Sequence, residues 1–329
     1  MRRRGDHQVN TDLVSILSEL NNSLEKAEID LIGNENKVKY PVLFIIGPPR
    51  AGTTLVMQWL CNMGIFAYPT NLMSRFYKAP YIGHLIQKII SDDRMDYQNE
   101  LYDLKPEKKK FKSRLGKTEG SQEPNGFWYL WRRFIPTGEI ARIPSQKLDK
   151  IDRKGLMNAV ASIEMAYDRP VVLKGKMMQY NIDELIKIFT NAIFIHVKRD
   201  TIYNAQSILS ARVEYFGDPL HWYGGKPPGY EKLLSDDAYK QVVGQVVYTN
   251  AYIEDKLGNK RNNGYIELTY EEFCSNPKIY FNKVEDKMRL MGYPIRNSYK
   301  GVDGFDNKNK IKISETDFEY LRDALSSFI

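Results

Sequence analysis

Three groups of residues in this chain have types and spacings suited to chemistry on an anion. The first is Pro49-Arg50-Ala51-Gly52-Thr53-Thr54. It lies between an apolar run, Val42 to Ile46, and the helical spacing of Leu55, Val56, Trp59 and Leu60. The apolar run suits a buried parallel strand, Gly47-Pro48-Pro49 stops it, and Thr53 and Thr54 can cap a helix that Gly64 closes. A strand, a Gly-containing loop and a helix N-terminus aim backbone N–H groups and the positive end of a dipole at one point, and phosphate or sulfate is the natural guest.

The second group is the run Ile193 to Val197 with Lys198, Arg199 and Asp200 at its end and Ser207 eight residues past Arg199. Arg offers a bidentate fork to a phosphate, and a Ser two turns into the next helix can face the same side. The third group is aromatic. Glu123-Pro124-Asn125-Gly126 leads into Phe127-Trp128-Tyr129-Leu130-Trp131-Arg132-Arg133-Phe134, and Tyr215, Phe216, His221, Trp222 and Tyr223 follow later. Core packing accounts for most aromatics, whereas flat rings flanked by polar groups also hold sugars or aromatic acceptors. Trp128, Trp131 and Trp222 are the candidates for facing such a cleft.

The spacing Gly47-x4-Gly52-Thr53-Thr54 is close to a Walker A loop, but Thr53 stands where the Lys should be and Arg50 sits inside the loop. The PRAGTT run resembles instead the 5′-phosphosulfate loop of sulfotransferases that use PAPS (3′-phosphoadenosine 5′-phosphosulfate), with Ala51 in place of the usual Ser. The Arg199 and Ser207 pair resembles the 3′-phosphate motif of that family, and Arg212 lies where a second basic residue helps in some members. The segment Thr269-Tyr270-Glu271-Glu272-Phe273 resembles the family's Tyr-Glu-Asp-Leu signature, whose Tyr contacts the adenine. The aromatic run after Pro124 is similar to one in bacterial carbohydrate sulfotransferases.

The resemblance runs over residues 40 to 295. It implies sulfuryl transfer from PAPS, leaving PAP (3′-phosphoadenosine 5′-phosphate), with Arg50 and Lys174 as the cations on the reacting oxygens and no metal required. It places the cofactor on Pro49 to Thr54, Arg199, Ser207 and Tyr270. Members that carry a catalytic Glu some eighteen residues past the loop have no counterpart here, and Lys176 takes the place of the catalytic His of cytosolic members. The base is therefore sought elsewhere: Glu123 first, then Glu119 and His84, while His196, in mid-strand, is read as structural. Lys300, Lys308 and Lys310 lie where the family often supplies a late basic loop.

Position must come from a scaffold. Residues 1–39 read as a polar arm with one amphipathic helix, Leu13, Ile16, Leu17 and Leu20 on one side, given packing and no chemistry. Residues 40–329 read as a single domain with a lid-like insertion at about 91–126. Helices expected near 153–167, 182–189 and 236–257 alternate with strands expected at 170–174, 192–197 and 264–268. The fold class is therefore α/β, a P-loop-like parallel sheet flanked by helices, the fold of sulfotransferases. Ligands of such sheets gather beyond the C-terminal strand ends, which brings Arg50, Lys174 and Arg199 around one crevice.

Composition narrows the classes. A chain of 329 residues with 42% hydrophobic and 27% charged residues suits a globular α/β protein. Cys61 and Cys274 offer no disulfide framework and read as core thiols, consistent with a reducing compartment. The net charge of +7 discriminates poorly, and Lys108, Lys109, Lys110 and Lys112 read as a solvated face. Met-Arg-Arg-Arg is followed by a polar stretch and no apolar run spans a bilayer, so a cytoplasmic protein without an integral membrane segment is expected. Two other readings stand beside sulfuryl transfer to a carbohydrate or glycolipid hydroxyl or an amine. One is a Mg-dependent, kinase-like phosphotransferase with Asp200 as its Walker B carboxylate; the other is a non-catalytic PAP- or nucleotide-binding protein. No nucleic-acid module is recognisable.

Overall fold

The computed structural model describes residues 4–5, 8–101, 104, 111–258, 264–295 and 298–328; Lys108, Lys109 and Lys110 lie outside them. In chain order the strands are β1 (Leu43–Ile46), β2 (Ser113–Arg114), β3 (Lys117–Thr118), β4 (Val172–Lys174), β5 (Ile193–Lys198) and β6 (Tyr265–Thr269). The main sheet is parallel, in the order β4-β1-β5-β6, and β2 with β3 makes a separate antiparallel hairpin. All four residues of β1 are buried, as a central strand covered on both faces requires. Alternation then sends its side chains to opposite layers.

The helices are α1 (Thr11–Ile32), α2 (Thr53–Asn62), α3 (Pro80–Ser91), α4 (Trp128–Phe134), α5 (Arg153–Tyr167) and α6 (Ile182–Ile188), followed by α7 (Thr201–Phe216), α8 (Tyr230–Leu233), α9 (Ala238–Leu257), α10 (Tyr270–Ser275), α11 (Pro277–Leu290) and α12 (Glu315–Ser326). Phe44 and Ile46 enter the layer built from α4, α5, α6 and the end of α9, where Phe44 stacks on Phe194 at 5.6 Å. Leu43 and Ile45 enter the layer of α2, α10 and α11, with Trp59 edge-on to Phe273 at 5.0 Å. A third apolar cluster joins α7, α9 and α12. Helix, sheet, helix is the layering that the alternating elements predict.

Register fixes the functional edge. Ile45 pairs with Lys174 and Ile46 with His196, so the C-terminal ends of β1, β4 and β5 open side by side. Helix α1 reaches Ile32, well beyond the amphipathic stretch, and it is docked by buried polar groups. Glu28 accepts from the amides of Tyr81 and Ile82 in the first turn of α3, and Asn21 donates to the Arg75 carbonyl while accepting from the Lys78 amide. Burial pushes the Glu28 carboxyl above its ordinary range, against the two amides that stabilise its charged form.

Candidate anion-binding site

The loop after β1 is held open by its neighbours. Gly47 sits at φ 142, and a Cβ there would lie 2.4 Å from the Val197 carbonyl oxygen. Gln179 Oε1 accepts from the Gly47 amide at 3.3 Å, Asn204 donates to the Pro49 carbonyl at 2.7 Å, and Arg199 Nη1 donates to the Arg50 carbonyl at 3.1 Å. These bonds fix Arg50 at φ 67, a left-handed conformation that costs a non-Gly residue about 1–3 kcal/mol. The cap of α2 differs from the expectation. Gly52 at φ 103 is the N-cap and no side chain caps the helix, so Thr53 and Thr54 do not consume its amides. The first bond inside α2 runs from Val56 N to Gly52 O, which leaves the preceding amides for an anion.

Cations surround that point. Lys174 ends β4, donates to Thr54 Oγ1 at 2.8 Å and to the Gly116 carbonyl at 3.3 Å, and is almost fully buried. Lys176 follows in a 3₁₀ turn, its Nζ 3.5 Å from the Pro48 carbonyl. Burial, with Arg50 adding repulsion, brings the Lys174 ammonium down to about 8; burial, then Lys174 and Arg50, brings Lys176 down to about 7. Arg50 Nε donates to Ser207 Oγ at 3.2 Å, and Arg199 lies over the Tyr270 ring at 4.8 Å. Among the described residues, none of Arg50, Lys174, Lys176 and Arg199 is ion-paired with a carboxylate. Four convergent cations without an ion-paired carboxylate are a candidate site for a polyanion.

All four line one cavity of about 2160 Å³, together with Pro49, Gly52, Thr53, Thr54, Ser207 and Tyr270. Ala51 is fully buried behind the loop. Tyr270 is wedged between Gly52 and Arg199: a Cβ on Gly52 would meet its ring at 2.7 Å, and its hydroxyl accepts from the Lys308 amide. Trp128 and Trp222 also face the cavity. Gly126 lets the first of them in, because a Cβ there would lie 3.0 Å from Trp128 Nε1 and 3.7 Å from Lys174 Cδ.

Several expectations are corrected by these positions. Trp131 is fully buried against Phe44, one turn from Trp128 but on the core side of α4, and does not line the cavity. Glu123 turns away from the cavity to accept from Gln58 Nε2 at 3.0 Å in a buried pocket beside α2, so it is not placed as a base. Glu119 is exposed outside the cavity. His84 packs on Tyr167 at 4.1 Å, also outside it, and burial lowers its imidazole to about 4. Arg212 is fully buried and lies off the cavity, donating to the Pro219 carbonyl and Gln241 and lying over Trp222 at 4.8 Å; it holds the 219–222 turn and not a phosphate. His196 is structural as read, bonded to Tyr265 and Asn250. Asp200 caps α7 through the Ile202 and Tyr203 amides, which explains its place after β5 without a metal role.

Sequence reading missed contributors from both chain ends. Gln8, Val9, Asn10, Leu13 and Val14 line the cavity, so the arm does more than pack. Lys308 lines it from the tail, whereas Lys300 and Lys310 do not. Asn309 accepts from Arg199 Nε at 2.8 Å and donates to Glu271 at 2.6 Å. His221, on the aromatic turn already noted, is the imidazole on the cavity wall among the described residues. Lys308 and the turn of His221 had signals in the sequence, a late basic loop and an aromatic cluster, whereas nothing local signalled the arm residues or Asn309.

The parallel sheet flanked by helices makes this an α/β protein, with an uncapped helix N-terminus and, among the described residues, four cations without an ion-paired carboxylate as its candidate site. The family model of the sulfotransferase family matches residues 41–291, and the chain belongs to that family. In sequence it is 24% identical over 275 residues to the omega-hydroxy-beta-dihydromenaquinone-9 sulfotransferases of Mycobacterium bovis and Mycobacterium tuberculosis, with 78% of this chain matched. The chain spans 64% of the length of these relatives. In structure it resembles sulfotransferase STF9 of Mycobacterium avium, with a TM-score of 0.52 at 13% identity, over 96% of this chain and 76% of that one. Among the described residues no helix is long and apolar enough to cross a membrane.

Proposed function

We propose that the cavity binds PAPS and that the protein transfers its sulfuryl group to a hydroxyl of a carbohydrate or glycolipid. The observation that carries this reading is the convergence of Arg50, Lys174, Lys176 and Arg199 on the open amides of α2 without one paired carboxylate. The 5′-phosphosulfate would sit on the Gly52 to Leu55 amides with Arg50, Lys174 and Lys176 around it. Arg199 and Ser207, joined to Arg50 by hydrogen bonds, would take the 3′-phosphate, and Tyr270 would take the adenine side. Trp128 and Trp222 offer flat faces to the acceptor. The sequence relatives are named for an ω-hydroxy acceptor, which supports a hydroxyl nucleophile.

In this reading the acceptor oxygen forms a bond to sulfur as the bond from sulfur to the bridging oxygen of PAPS breaks. Lys174 and Lys176 neutralise the charge that develops on the leaving phosphate. His221 takes the acceptor proton; its segment reaches the loop, since a Cβ on Gly224 would lie 3.2 Å from Pro49. A general base commonly contributes about 10²- to 10⁴-fold and does not hold the cofactor. His221→Gln should therefore lose labelled-sulfate transfer from PAPS by about that factor with PAP affinity intact. Full transfer by the variant would remove the assignment of the base, and no transfer by the wild type to any hydroxylated acceptor while PAP binds would leave a binding protein.

A further inference from the structure

The cavity lining is not cationic throughout. Besides the cations at the loop it carries side chains that a water-facing surface seldom groups: Val9 is 61% exposed, Val14 38% and Leu220 55%, and all three line the cavity. Val9 and Val14 belong to the N-terminal arm, and Leu13 beside them lines the cavity as well. The arm is tied down at two points. The Arg4 amide donates to the carbonyl of Tyr215, at the end of α7, at 3.1 Å, while Asn21 ties α1 to Arg75 and Lys78. Gln8, Val9, Asn10, Leu13 and Val14 line the cavity between these two ties in sequence. Asn10 accepts from the Leu13 amide at 2.9 Å as the cap of α1, which sets the orientation of the first turn.

Small-ligand pockets are commonly about 300–1,000 Å³, so a cavity of about 2160 Å³ holds a nucleotide and a sizeable second molecule. An acceptor in contact with both the loop and the arm meets the cations and also Val9, Leu13 and Val14. We propose that residues 8–14 form the acceptor-side wall and select amphiphilic acceptors, with the reacting hydroxyl toward the loop and an apolar body against Val9, Leu13 and Val14. This rests on the sulfuryl-transfer reading for the word acceptor, but the apolar wall is testable without it. Free sugars and other fully polar hydroxyl compounds would leave this wall wet and would be poor ligands.

The test uses the full chain and a ladder of alkyl β-glucosides of four, six, eight and ten carbons, with glucose as the polar reference. All are kept below their micelle concentrations, and affinity is measured with and without saturating PAP. Wild-type affinity should rise roughly two- to fourfold per methylene. Val9→Asp and Val14→Asp, both at exposed positions, should cut the gain across the ladder to less than about threefold and leave PAP affinity unchanged. Ile16→Asp, 63% exposed on the same helix and off the cavity, should retain the full gain. A flat wild-type ladder with PAP bound overturns this proposal and leaves the cofactor reading standing, and so does a gain lost equally in Ile16→Asp. A rising ladder that the two arm variants flatten, in a protein that fails to bind PAP, supports the apolar wall and removes the sulfuryl donor.

Discussion

Asn309 accepts a hydrogen bond from Arg199 Nε at 2.8 Å, so a residue of the C-terminal tail aims the guanidinium that closes β5. With Nη1 on the Arg50 carbonyl and the Tyr270 ring against its face, the guanidinium has one edge left for a ligand. Glu271 accepts from the Asn309 side-chain amide and the Asp200 backbone amide, and its charge favours the Arg199 guanidinium without a direct ion pair.

Arg199→Ala should weaken PAP by about tenfold or more, since charge-assisted contacts contribute about 1.5–3 kcal/mol. Asn309→Ala should weaken it by roughly three- to tenfold by leaving that guanidinium unaimed. Neither should alter binding of adenosine 5′-phosphosulfate, which lacks the 3′-phosphate. Equal losses for both ligands in a calorimetric titration would make Arg199 a support of the fold.

PAP affinity should fall with rising pH. Burial and the neighbouring cations bring Lys176 to about 7 and Lys174 to about 8 in the free protein, and a bound polyanion raises both by favouring the ammonium form. The gain in affinity is then fully present below pH 7 and is lost as pH rises through these values. Each lysine contributes a slope of at most about tenfold per pH unit. Lys176→Met should weaken binding at pH 6.5 and flatten the profile between pH 7 and 8. A profile that is level from pH 6.5 to 9 in the wild type would mean that the lysines do not meet the ligand.

The two tryptophans of α4 should part company. Trp131→Ala opens the core against Phe44 and should cost about 3–5 kcal/mol of stability. Trp128→Ala should cost less than about 1 kcal/mol in denaturant unfolding and raise the acceptor KM with PAP affinity unchanged. Similar stability losses for both would return Trp128 to the core.

That the loop after β1, Arg199 and Ser207 meet at one cavity was legible in the sequence because they lie in consecutive residues or on one strand and the helix after it. The order of apolar runs gave the parallel sheet for the same reason. Trp128 and Trp131 were not separable, since both lie in an unbroken aromatic run and only the tilt of a seven-residue helix decides which faces Phe44. Glu123 looked like a base because Pro124 could turn it inward, but Gln58, sixty-five residues away in sequence, claims its carboxylate. Val9 and Asn309 reach the site by tertiary docking of the termini, which no local pattern encodes.

The most direct test of the account is calorimetric titration of the full chain, at pH 7, with PAP, with AMP, and with ATP and Mg²⁺. The account predicts that PAP binds at least about tenfold more tightly than AMP, through Arg199 and Ser207, and more tightly than ATP with Mg²⁺. Equal affinities for PAP and AMP, or tighter binding of ATP with Mg²⁺, would contradict it.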